Sequence, residues 1–98
     1  NILMNKVLHL TLKKKWFDEI LSGKKKVEYR EIKPYWQIRL IDNKGIPIDY
    51  KKIVFKNGYG KNVPIMVVEY LGLNISDKYE IQLGKILETF NLHTYDFK

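Results

Sequence analysis

The sequence predicts a small mixed α+β domain: a closed or partly closed barrel of about five short strands, with two short helices in its N-terminal half. Three observations carry this. Five runs with strand-like alternation or continuous apolar character are separated by turn residues. Two stretches, 13–22 and 34–40, follow helical spacing instead. The chain is 98 residues long, enough for one domain (1–98) with a modest core. For such a domain, curling the sheet toward closure leaves few exposed edges.

The elements follow in order. Residues 6–12 alternate, with Leu8, Leu10 and Leu12 on the core face and Val7, His9 and Thr11 opposite. Residues 13–22 switch to a helix, where Trp16, Phe17, Ile20 and Leu21 form one apolar stripe. Thr11 is its expected N-cap and Gly23 its C′ residue, since glycine accepts the positive φ required there. Residues 25–31 form a second strand, with Val27 and Tyr29 on one face and Lys26, Glu28 and Arg30 on the other. Pro34 opens a second short helix through Leu40, with Trp36 and Leu40 one turn apart. Asp42-Asn43-Lys44-Gly45 is a turn, and 46–51 reads as loop. Strands follow at 52–56, 64–73 and 79–83. Residues 85–90 continue as strand or short helix. Tyr95 and Phe97 are expected to dock from a peripheral tail.

Composition narrows the function classes. With no cysteine and only His9 and His93, a disulfide scaffold is excluded and a histidine metal site is not expected. No cofactor is indicated. No apolar run approaches the ~20 residues of a membrane span, and no secretory leader is apparent. A cytoplasmic monomer is expected, with Met4 a candidate natural start. The formal charge is +7, unevenly spread: residues 1–62 carry +9 and residues 63–98 carry −2. An oriented positive surface suits a phosphate-bearing partner. A merely solvated lysine-rich face explains the same composition.

The chemistry-bearing residues cluster after the first helix. Lys24, Lys25 and Lys26 could neutralise phosphates, or simply compensate a helix C-terminus. Glu28 and Arg30 project from one strand face. In a pocket they form a charge-assisted pair, and Glu28 beside the lysines is a candidate general base. On an open surface they are an ordinary ion pair, contributing roughly 0–1 kcal/mol. Lys33, Pro34, Tyr35 and Trp36 place aromatics among cations. Tyr35 suits a wet pocket edge, where base stacking contributes about 1–3 kcal/mol per base, while Trp36 suits the core. Asn57-Gly58-Tyr59-Gly60-Lys61 joins backbone freedom, an aromatic and a cation. It is not a Walker A loop, and a plain hairpin turn accounts for its Asn-Gly. Lys24, Lys26, Arg30, Lys33, Tyr35, Asn57, Tyr59 and Lys61 are thus the candidate binding residues, and Lys25 and Glu28 the candidate catalytic pair.

Several separated blocks together resemble the ASCH domain family, a branch of the PUA-like superfamily. These are Leu8-His9-Leu10-Thr11-Leu12-Lys13, Trp16-Phe17-Asp18, Ile20-Leu21-Ser22-Gly23-Lys24-Lys25, Glu28-Tyr29-Arg30-Glu31, Tyr35-Trp36 and Phe55-Lys56-Asn57-Gly58-Tyr59-Gly60. The centre is a Gly-x-Lys-x-x-Glu-x-Arg pattern at Gly23, Lys25, Glu28 and Arg30, and the match spans roughly residues 7–87. The resemblance implies a PUA-like β-barrel with a cleft for RNA, a nucleotide or a modified nucleoside, and a role in translation or RNA metabolism. It also implies possible hydrolysis, since one branch deacetylates acetylcytidine and another is reported to cut RNA. In the amidohydrolase branch, the motif lysine acts with a threonine three residues on and a downstream glutamate. Here the lysine is Lys25, the threonine position holds Glu28, and Glu69 and Glu80 are the candidate glutamates. The loss of the hydroxyl argues against that reaction but leaves a different hydrolysis through Lys25 and Glu28 open. A protein-interaction module with a basic surface is the third alternative.

Overall fold

A computed structural model describes residues 6–94. The order is β1 (Val7–Thr11), α1 (Lys14–Leu21), β2 (Val27–Glu31), α2 (Pro34–Leu40), β3 (Lys52–Lys56), β4 (Ile65–Ile75) and β5 (Lys78–Phe90), then a short 3-10 turn at Leu92–Thr94. The five strands form one sheet in the order β1-β3-β4-β5-β2. The β1–β3 pair is parallel, and the other three pairs are antiparallel. The sheet curls into a half-barrel, so the domain is α+β and barrel-like. The curl stops short of closure: β1 and β2 are the two ends of the sheet and do not pair with each other.

The concave side holds the core. Leu8, Leu10 and Leu12 point inward along β1, as the alternation predicts, and Phe17 and Ile20 of α1 pack against the sheet. Phe17, Phe55, Ile53 and Met66 are fully buried, each worth about 1.5–3 kcal/mol in apolar area removed from water. Trp36 is half-buried against this cluster, between the core position expected of it and the surface.

Several boundaries move for identifiable reasons. Helix α1 starts at Lys14 with Lys13 in the N-cap position, and no side chain caps it. Thr11 is not the cap because β1 continues through it, in register with Lys56. The C-terminal end is as expected: Gly23 adopts φ +83°, and its amide donates to Ile20 O at 3.1 Å. β4 and β5 run longer than their sequence patterns suggest, because each supplies the other's backbone partners from Ile65↔Phe90 to Ile75↔Tyr79. That pairing decides residues 85–90 as strand. Tyr95, Phe97 and Met4 lie outside the described residues.

Candidate functional site

The site begins where α1 ends. After Gly23 the chain folds back, and the Lys25 amide donates to Glu19 O at 2.9 Å. This places the Lys25 side chain beside the face of α1 that carries Trp16. β2 follows at once, and its alternation is inverted relative to an ordinary half-buried strand. The apolar-looking Tyr29 faces solvent, while Glu28 faces in, in register with the core residue Ile81. Glu28 is only 3% exposed, the one buried polar or charged residue among those described.

A buried carboxylate costs several kcal/mol unless charge and hydrogen bonds compensate it. Both kinds of compensation are present. Arg30 Nη1 donates to Glu28 Oε2 and also to the Tyr29 carbonyl, at 2.8 Å for the latter. Lys25 Nζ lies 3.4 Å from Glu28 Oε1. That contact is an ion pair by distance, yet Oε1 receives no hydrogen bond and is fully buried. One acceptor of the carboxylate is therefore unused. The two cations are themselves held by aromatic faces. The Lys25 ammonium lies 4.5 Å from the Trp16 ring centre and 5.2 Å from that of Tyr29, and the Arg30 guanidinium is 5.0 Å from that of Trp36. Such stacking orients a cation without removing its charge.

This group lines a cavity of about 420 Å³. Thr11, Leu12 and Lys13 at the end of β1 form one wall, Lys25 with Glu28, Tyr29 and Arg30 of β2 the other, and Trp16 and Lys78 complete it. The cavity thus bridges the two unpaired ends of the half-barrel. Lys13, Lys25, Arg30 and Lys78 contribute four positive charges against the single carboxylate of Glu28. A second cavity, of about 430 Å³, shares Thr11, Leu12 and Lys13 as a wall and adds Asn57, Gly58 and Tyr59. The shared wall is fixed by the Leu12 amide donating to Lys56 O at 2.8 Å and by Asn57 Nδ2 donating to Leu12 O at 3.0 Å.

The sequence-selected residues divide accordingly. Lys25, Glu28 and Arg30 come together, and Asn57 and Tyr59 join them across Lys13. Tyr59 is 93% exposed, an open face. The others are elsewhere. Lys24 lines a separate groove with Asp18 and Ser22. Lys26 is exposed and outside the cavity, with its carbonyl accepting from Leu83 N. Lys33 pairs with Glu31 at 3.2 Å. Tyr35 has the Arg39 guanidinium 3.6 Å from its ring centre and meets Trp36 edge-on at 4.8 Å, so it supports the Arg30–Trp36 stack from outside. Lys61 is exposed and lines neither cavity. Glu69 accepts from the Lys85 amide, and Glu80 accepts from Ser76 Oγ; neither reaches the Glu28 cavity. Sequence reading missed Lys13, Trp16 and Lys78. Trp16 and Lys13 are adjacent to the motif along α1, and the missing N-cap side chain at Lys13 is the one local signal available.

A larger cavity of about 590 Å³ lies apart, between the 47–51 loop and β4. Its acids are engaged: Asp49 with Lys51 and Glu69 with the Lys85 amide. Burial raises the Tyr50 and Tyr70 hydroxyls above the usual phenol value, Tyr70 to about 12. It lacks the convergence of charges seen around Glu28, which makes the smaller cavity the better candidate. Among the described residues no group of three or more His, Cys, Asp or Glu is placed to hold a metal ion, and no helix is long and apolar enough to cross a membrane. No protein-family model, no curated protein and no solved structure matches the chain.

Proposed function

We propose that this chain is an RNA- or nucleotide-binding domain of the ASCH type, acting in the cytoplasm in translation or RNA metabolism. The observation that carries the reading is the cationic cavity between the sheet ends, built around a buried carboxylate paired with Lys25 and Arg30. Lys13 and Lys78 are the cations not committed to Glu28, and they take the phosphates. Trp16 and Tyr29 flank the base. Arg30, held in the cavity wall by Glu28, reads the base edge. The adjoining cavity with Tyr59 offers a stacking face to a neighbouring nucleotide, which favours a strand over a free nucleoside.

Binding of a short single-stranded RNA at two salt concentrations tests this. The expected affinity falls as salt rises, and Lys13→Ala/Lys78→Ala weakens binding and flattens the slope by about one unit of log salt per lysine. Binding indifferent to salt, or undiminished in the variant, would sink the phosphate assignment. Lys25 and Arg30 are poorer targets, because removing either strands the buried charge of Glu28.

The Lys25–Glu28 pair in the cavity wall also favours a second reading, a small hydrolase in which Glu28 is the general base and Lys25 stabilises developing negative charge. Turnover of acetylcytidine or RNA by Glu28→Gln decides it. A general base contributes about 10²–10⁴-fold, so undiminished turnover in that variant excludes the role.

A further inference from the structure

The side chains lining the Glu28 cavity are lopsided in hydrogen-bonding character. Lys13, Trp16, Lys25, Arg30 and Lys78 carry donors only. The one strong acceptor, the Glu28 carboxylate, is 4% exposed and held by Lys25 and Arg30. Its Oε1 is fully buried, so no ligand reaches it. The hydroxyls of Thr11 and Tyr29 are the remaining side-chain acceptors, and each can turn to donate instead. A ligand edge that presents acceptors is therefore favoured, and one that presents an amino group is not.

Arg30 gives this preference a shape. Its Nη1 donates to Glu28 Oε2 and to the Tyr29 carbonyl, which uses both hydrogens of that nitrogen. The guanidinium lies over the Trp36 ring, 5.0 Å from its centre. Among the described residues, Nε and Nη2 have no protein partner, and together they form a fork of two parallel donors. The side chain keeps 17% exposure and lines the cavity, which leaves this fork as its contact with a ligand.

Two base edges present adjacent acceptors to such a fork: O6 and N7 of guanine, and N3 and O2 of cytosine. Cytosine carries its amino group directly beside N3, where it would meet a further cation rather than an acceptor. Guanine flanks N7 with a C–H and turns its N1–H onto another edge. Adenine places an amino group beside N7, and uracil places an N–H between its two carbonyls. We infer that the cavity selects guanine, with Nε and Nη2 of Arg30 donating to O6 and N7 of the base. The inference rests on the RNA- or nucleotide-binding reading above and adds the identity of the base to it. A purine also offers the larger face to Trp16 and Tyr29, which flank it.

Short RNAs that differ at one position test it. The probes are a uridine hexamer and hexamers with one central guanine, inosine, 7-deazaguanine, adenine or cytosine, each titrated at two salt concentrations. Guanine and inosine share O6 and N7. They are expected to bind equally well, and about 5- to 150-fold more tightly than adenine, cytosine or uridine. 7-Deazaguanine keeps O6 but lacks N7, and is expected to bind less tightly than guanine. Arg30→Lys keeps the charge that Glu28 requires but loses the fork. It is expected to retain salt-sensitive binding and to hold all six RNAs with similar affinity. The base series uses the unaltered protein, so it decides the matter even where Arg30→Lys does not fold. Equal affinity of the wild type for all six overturns the inference, and leaves the nucleotide-binding reading standing where that affinity falls with salt. A preference for cytosine, or undiminished binding of 7-deazaguanine, overturns it too. Binding of none of the six overturns both.

Discussion

Glu28 is held in the core wall by two cations, and each partner restrains the others. Glu28→Gln keeps the shape but removes the charge that Lys25 and Arg30 neutralise. It is expected to lower stability by about 1–3 kcal/mol, read from chemical denaturation. An unchanged midpoint would mean that the cations are already satisfied by water. Tyr70 poses the opposite case. Its ring is buried, its hydroxyl has no partner, and burial, reinforced by the neighbouring Tyr50, holds that hydroxyl near 12. The unfolded chain ionises near 10, so the contribution is fully present below pH 10 and is lost as pH rises toward 12. Wild-type stability is therefore expected to fall over that window by on the order of 1–3 kcal/mol more than that of Tyr70→Phe. At neutral pH the same substitution is expected to cost no more than about 1 kcal/mol, because no hydrogen bond is lost. Parallel pH profiles of the two proteins would contradict the assignment.

At the scale of elements, α1 begins without a side-chain cap. Its N-cap position is Lys13, in extended conformation and without a capping bond, although serine or threonine there is worth about 0.5–2 kcal/mol. Lys13 also forms the wall shared by the two cavities. Lys13→Ser is accordingly expected to raise the melting temperature and to weaken RNA binding. A variant that is both more stable and equally tight in binding would show that Lys13 has no part in the site. β2 makes a similar exchange: it turns its charged face inward, and so contributes little apolar burial beyond its pairing with β5.

At the scale of the molecule, the unclosed curl decides both cohesion and the place of the site. β3 and β4 are each paired on both sides, whereas β1 and β2 are sheet ends. Amide exchange is expected to be slowest in β3 and in β4 between Ile65 and Val68, and faster on the outer edges of β1 and β2. Uniform protection across all five strands would imply that the ends are covered after all. The gap between those ends is where three cations of the basic segment 1–62, Lys13, Lys25 and Arg30, meet Lys78 from the acidic remainder.

The sequence by itself determined the class of fold and most of its pieces. Alternation exposed β1 and β3, proline marked the start of α2, and glycine marked the end of α1, because each of these depends on local backbone and side-chain preference. It also determined that Glu28 and Arg30 belong together, since two-residue spacing in a strand fixes a shared face; the same spacing assigned Lys26 to that face, whereas in the structure it is Lys25 that reaches Glu28. Only the tertiary structure decided which way that face points. A polar face is read as solvent-facing unless its compensating partners are known, and here Lys25 and Arg30 reach Glu28 while Trp16 and Trp36 stack on them from two other segments. The full length of β5 was decided the same way, since residues 85–90 are strand only because β4 supplies their hydrogen bonds. Lys78 enters the cavity and Lys24 and Lys33 do not, because sheet register rather than proximity in sequence brings residues 53 positions from Lys25 to its side.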